Sequence, residues 1–201
     1  EAFALLPAVG KTAQASGAAL TDMSTTADAV ANSFGIMSDQ MQRAFDILAY
    51  RGKEGKFELK DMAAELPSLA PAFAALGYKG LDGVNRLATA LQVVRMETGQ
   101  SGEAATAFMD VLTKMQSTAT AANFKKFGVD LRSSMDRAKK DGRDVLESFV
   151  KLSVQAVRGD LSKLPQLFTD KQMLIGMRAL INHWDEYAAS LKTVGQAVGT
   201  T

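Results

Sequence analysis

Apolar residues recur at steps of three and four along most of the 201-residue chain, the pattern of helices that each bury one face. The cleanest run is Ser101 to Met115, where Ala104, Ala105, Phe108, Val111, Leu112 and Met115 share a side. Glu103 in its first turn suits the helix dipole, while Gly99 and Ser101 supply a stop for one helix and a cap for the next. The same spacing predicts helices from Thr21 or Asp22 to about Ser33, ended by Gly35, and from Asp39 to Tyr50, capped by Ser38. Another runs from Gly83 to Thr98 behind Asp82, with Val84, Leu87, Leu91 and Val94 inward. Leu91 to Met96 is locally β-prone but lies in phase with that helix, so helix is expected to win. Between these segments fall a Gly-punctuated polar loop at Lys53 to Lys56 and a short helix from Glu58 to Leu66. Pro67 is expected to stop that helix, and Pro71 to open another from Ala72 to Leu76.

The third quarter is less regular. Thr120 to Phe127 reads as a short helix closed by Gly128. Val129 to Leu131 reads as a brief extended piece, Asp141-Gly142 as a turn, and Ser133 to Lys140 equally as helix, which leaves room for one small β-hairpin around residues 129–145. Two long helices close the chain, about 144–157 and 170–194, the second opened by a capping-box pair, Thr169 and Gln172. Leu174, Met177, Ile181, Trp184, Ala188 and Leu191 step along it by three, four, three, four and three, a heptad-like seam. Two readings of that seam stay open: a stripe lying in a bundle groove, or a surface for self-association or a partner. The fold class is all-α, an irregular multi-helix bundle of helical hairpins.

Composition narrows the function. Charged residues are 22% of the chain and hydrophobic ones 47%, a globular balance that argues against disorder. The net charge of +1 provides no long-range field to gather a polyanion, which disfavours sequence-specific or broad nucleic-acid binding. With no cysteine and a single histidine, His183, the chain has no thiolate zinc site, disulfide, cysteine nucleophile or histidine-rich metal centre. The uncharged stretch Leu66 to Tyr78 is too short to span a bilayer, and no signal peptide opens the sequence. The first residue is Glu, so the chain is expected to be part of something longer.

The candidate motifs are weak. Val9-Gly10-Lys11-Thr12 resembles the end of a phosphate-binding loop, but Leu5 occupies the place of the first glycine and no strand precedes it. His183 to Tyr187 concentrates polar groups, yet neighbours on a helix point in different directions, and a buried Trp184 puts Asp185 and Glu186 outward. The 22 acidic residues single out no carboxylate pair. Lys125-Lys126 with Arg137 to Arg143 form a basic cluster interleaved with Asp136, Asp141 and Asp144, without aromatics, and read as a solvated loop. The ten methionines are spread through helices and suit irregular core space. No catalytic residue, cofactor or metal is expected, and function is expected to lie in packing, assembly and partner binding.

The order of segments carries more than any one of them. Phe3 to Val9 (FALLPAV) leads to Thr26 to Gly35 (TADAVANSFG), then Ser38 to Leu48 (SDQMQRAFDIL) and Glu58 to Leu66 (ELKDMAAEL). Leu69 to Gly77 (LAPAFAALG), Leu87 to Leu91 (LATAL), Gly99 to Leu112 (GQSGEAATAFMDVL) and Phe124 to Leu131 (FKKFGVDL) follow. This series resembles the core region of tail tape measure proteins of tailed phages over about residues 1–131. Glu54-Gly55-Lys56-Phe57 departs from the commoner loop, and beyond Leu131 the likeness fades, with Phe168 to Leu180 as a variant of a later helix pair. The resemblance implies a helical core at 1–131 with a C-terminal helical extension at 132–201. It also implies a structural role in a phage or prophage: setting tail length and nucleating the tail tube, with the tube protein and tail assembly chaperones as partners. The expected location is the tube lumen of the virion tail, and the host cytoplasm during assembly. The competing expectation is a small helical protein-binding or signalling module that uses the Leu174 to Leu191 seam.

Overall fold

The computed structural model describes residues 2–197 and 199–200, and in them the apolar periodicity becomes twelve α-helices without a strand. In order these are α1 (Ala2–Ser16), α2 (Leu20–Phe34), α3 (Met41–Glu54), α4 (Leu59–Ala74), α5 (Gly80–Met96) and α6 (Ser101–Lys114). There follow α7 (Thr118–Lys126), α8 (Leu131–Lys140), α9 (Val145–Ala156), α10 (Leu164–Leu167), α11 (Lys171–Asn182) and α12 (Trp184–Leu191). Short 3-10 turns at Ser38–Gln40, Leu161–Lys163 and Val194–Ala197 complete the described secondary structure.

Helix α5 is the centre. Gly83, Val84, Asn85 and every residue from Leu87 to Val94 are buried, so it is covered nearly all round by α2, α3, α4, α6, α11 and α12. Its buried polar residues Asn85, Thr89 and Gln92 are each hydrogen-bonded. Arg51 Nε donates to Asn85 Oδ1 at 2.9 Å, and Thr89 Oγ1 donates to the Asn85 carbonyl at 2.7 Å. Gln92 pairs with both backbone groups of Phe57, accepting from its N–H at 3.0 Å and donating to its carbonyl at 2.7 Å, which pins the α3–α4 loop to the core. That loop needs Gly55, because a Cβ there would stand 1.8 Å from Gln92 Oε1. Further round, α11 crosses α6 at backbone contact: a Cβ on Gly176 would meet the Ala107 carbonyl oxygen at 2.8 Å.

Four expectations are corrected. First, Pro67 does not stop a helix, and α4 runs through both Pro67 and Pro71. A proline has no N–H for the carbonyl four residues back, which leaves the Ala63 oxygen without its helical donor. Thr26 of α2, wholly buried, supplies the replacement: its hydroxyl donates to Ala63 O at 2.9 Å, where α2 and α4 lie packed together. Second, the room left for a hairpin at 129–145 is filled by helices, because Asp130 accepts from Ser133 N–H and Asp144 from Glu147 N–H, starting α8 and α9. Third, α11 is capped by Asp170, which accepts from Met173 N–H at 3.0 Å, rather than by Thr169. Lys114 and that N–H together hold the Asp170 carboxyl well below the usual range. Fourth, the helix expected over 170–194 breaks at His183 (φ −115°, ψ 27°) into α11 and α12.

The Thr26–Ala63 bond depends on Pro67, and a double-mutant cycle reads that dependence. Thr26→Val leaves the Ala63 carbonyl buried and unpaired and lowers unfolding free energy by about 1–3 kcal/mol in chemical denaturation. Adding Pro67→Ala restores a helical donor to the same oxygen and recovers most of the loss; simple additivity of the two changes would refute this account.

Candidate interaction surfaces

The expected seam is split by the break at His183. Of its six residues only Met177 is fully buried; Leu174, Ile181, Trp184 and Leu191 are half-buried against the core, and Ala188 is half-buried as well. The face turned fully inward is offset by one position and carries Met173, Gly176, Met177, Leu180 and, beyond the break, Tyr187. Tyr187 is 1% exposed and packs on Trp184 with ring centroids 4.7 Å apart and planes tilted by 33°. A tyrosine in the last stretch of a polar-looking sequence, Trp184-Asp185-Glu186-Tyr187, carries no signal of core position beyond its spacing of seven from Leu180.

Beyond α12 the chain is held by a charge. Arg51, in the last turn of α3, is 1% exposed. Besides Asn85, its Nη2 donates to the Ser190 carbonyl at 2.6 Å, and its Nη1 to Glu54 Oε2 at 2.6 Å and Thr193 Oγ1 at 3.0 Å. Gly199 N–H donates to Asp46 Oδ2 at 2.9 Å, and Lys53 Nζ to the Thr200 carbonyl at 3.1 Å, so the C-terminal strap lies along α3.

A second polar joint links α5 to the start of α9. Tyr78 donates its phenolic hydrogen to Asp144 Oδ1 at 2.8 Å and accepts from Leu146 N–H at 3.0 Å, while Arg86 Nη1 donates to Asp144 Oδ2 at 2.7 Å. Burial, reinforced by the Asp144 charge, pushes the Tyr78 phenol far above its usual range, so it stays a donor. Asp144 thus caps α9, fixes Tyr78 and pairs with Arg86 together, which is a structural assignment for all three of these side-chain contacts.

The remaining candidates separate in space. Gly10, Lys11 and Thr12 lie inside α1, with Thr12 buried, so no loop curls there around a phosphate. His183 Nε2 meets Glu97 Oε1 at 3.0 Å and its Nδ1 meets Glu186 Oε1 at 3.4 Å, while Asp185 faces outward. Lys125, Lys126, Arg137, Lys139, Lys140 and Arg143 are exposed, Arg143 pairs with Asp141 at 2.8 Å, and of the six only Arg137 and Arg143 line an open groove of about 650 Å³ between α8 and α9. Met23, Met41, Met62, Met115, Met173 and Met177 are core, whereas Met96 is exposed. Glu65 on α4 is half-buried beside the start of α6, and burial holds its carboxyl above the usual range. Among the described residues no group of three or more His, Cys, Asp and Glu side chains is placed to hold a metal ion, and no helix is long and apolar enough to cross a membrane.

A family model described as phage-related minor tail protein matches residues 1–179, well past the point where the segment-by-segment likeness fades. The chain is 31% identical, over 215 aligned positions, to a probable tape measure protein of Burkholderia phage BcepMu. That match covers 94% of this chain and 25% of the relative, so the chain spans about a quarter of the length of the relative it matches. No solved structure matches the chain significantly.

Two measurements probe these joints. Arg51→Met leaves Asn85 and the Ser190 carbonyl without their partner and lowers stability by about 3–5 kcal/mol, whereas Glu54→Gln, at the exposed end of the network, costs under about 1 kcal/mol. Glu65 is the opposite case. Its folded-state pKa is raised, so its contribution is most favourable at acid pH and is lost as pH rises through the carboxylate range. Glu65→Gln therefore raises the melting temperature at neutral pH, and that gain shrinks on acidification; a gain independent of pH would refute the assignment.

Proposed function

The chain belongs to the phage-related minor tail protein family, and from that premise we propose that it is a structural and assembly segment of a tail tape measure protein. In this reading it acts in tail length determination and tube assembly, by packing and partner binding rather than by catalysis. The observation that carries the reading is the alignment along nearly the whole chain with a protein named as a probable tape measure protein. The helical architecture suits it, because a helix has a fixed rise of about 1.5 Å per residue.

The proposed site of action is the lumen of the tail tube, reached during assembly in the host cytoplasm, with the tail tube protein and tail assembly chaperones as partners. The described surface is mixed in charge. Its large exposed apolar side chains, Leu6, Leu20, Met37, Met96 and Leu161, are spread over α1, α2, α5 and two connecting turns. Such a surface favours broad, shallow contact with other proteins over a deep ligand pocket.

Tail length is the test. Inserting about 100 residues of helical repeat in frame after residue 201 lengthens the tails by about 150 Å, at 1.5 Å per residue, measured by electron microscopy of negatively stained particles. Normal particles with tails of unchanged length would overturn the length-setting role.

A further inference from the structure

Residues 171–191 carry the pattern of one helix and fold as two. Asn182-His183-Trp184 contains neither glycine nor proline, and no side chain there forbids helix. Yet His183 leaves the helical region, ending α11 and starting α12. The contacts made at the bend itself are near the surface. His183 and Glu97, 25% and 36% exposed, meet at 3.0 Å, and Asn182 Nδ2 donates to Glu97 Oε1 at 3.2 Å. Pairs of that kind are weak, because water and salt screen them.

The bend is held from farther on. Tyr187 is buried, α12 lies on α5, and Arg51 grips Ser190 and Thr193. In a straight helix, Leu174, Met177, Ile181, Trp184, Ala188 and Leu191 would fall within about 100° of arc as one continuous stripe. In the bent form five of those six remain half-buried. Local sequence favours the straight helix, and the groove on α3 and α5 favours the bend.

We propose that α12 and the strap after it form an exchangeable arm. The joint at His183 straightens, and the arm docks in the α3–α5 groove of a second copy of the chain, which returns its own arm in the same way. The occupant is a second copy because the groove is already complementary to this arm, down to the Arg51 contacts with Ser190 and Thr193. Arg51 and Asn85 of one copy would hold Ser190 and Thr193 of the other, and every arm contact would be conserved between chains while only the joint changes. The two straightened helices pass each other at the joint, where Ile181 and Trp184 of both copies come together and the seam is covered. This exchange is independent of the length-setting role.

The test uses the 201-residue chain, a 21.4 kDa monomer, with mass followed by light scattering on a sizing column from micromolar to millimolar concentration. His183→Ala favours the straight helix and raises the dimerisation constant by roughly threefold per joint, whereas His183→Gly lowers it by disfavouring helix at the same place. The chain has no cysteine, so single labels at Lys56→Cys and Lys192→Cys, both on exposed positions, report where the arm lies. Mixing donor-labelled Lys56→Cys with acceptor-labelled Lys192→Cys gives energy transfer that grows with dimer formation and approaches that of a doubly labelled single chain. A His183→Ala chain that stays monomeric throughout this range overturns the proposal. So does a dimer without transfer between the singly labelled copies, since it would be joined by another surface.

Discussion

A guanidinium almost out of reach of water stands where three separated parts of the chain meet. Burying a charge costs several kcal/mol unless its donors are all engaged. Arg51 therefore imposes a condition on everything near it: α5 must present Asn85, α3 must end with Glu54 in reach, and residues 190–193 must return across 139 and more positions of sequence. Only the Glu54 contact is local, an i,i+3 pair on α3; the others come from distant segments. Helix α5 is consequently packed on both sides, by α3 with its charge and by α11 and α12 from the end of the chain. The Arg51 network closes a structure whose individual helices, mostly under four turns long, would be marginal alone.

The other joints share one physical logic, in which an irregularity in one helix is completed by a group from another. Pro67 strips a donor from the Ala63 carbonyl, and Thr26 provides one. Gly55 leaves room for the Gln92 amide, which then does for Phe57 what a neighbouring strand would do. Gly176 lets α11 reach the backbone of α6. These sites give the bundle a single register, since sliding any pair by one turn strands a polar group or collides a backbone. Apolar stripes alone would tolerate several such slides.

That logic also explains what could be read from the sequence. The inward faces of α5 and α6 follow from spacing alone, because a buried stripe records its own period, and Val84, Leu87, Leu91, Phe108 and Val111 are all core. The continuous course of α4 could not be read, since the donor that compensates Pro67 lies 41 positions earlier. The helix α8 was obscured by Asp141-Gly142 and by its few apolar residues, although Asp130 was in place to cap it. The spacing on residues 174–191 picks out a half-buried stripe one position away from the fully buried face, because Tyr187 looks polar in sequence and Leu174 does not. Arg51 gave no sign at all. A lone arginine at the end of an amphipathic helix looks like every exposed one, and its partners are identifiable only in three dimensions.

The family match stops at residue 179, just short of the joint at His183, while the groove that receives the arm belongs to α3 and α5, inside the matched region. The receiving surface and the arm thus fall on opposite sides of that limit. A groove built around a buried arginine cannot stay empty without leaving two of its guanidinium contacts unmade, so some segment bearing backbone carbonyls and hydroxyls has to fill it. In this chain Ser190 and Thr193 do so. A groove that must be filled, served by an arm on a one-residue joint, is a device by which the requirement of one copy can be met by the next.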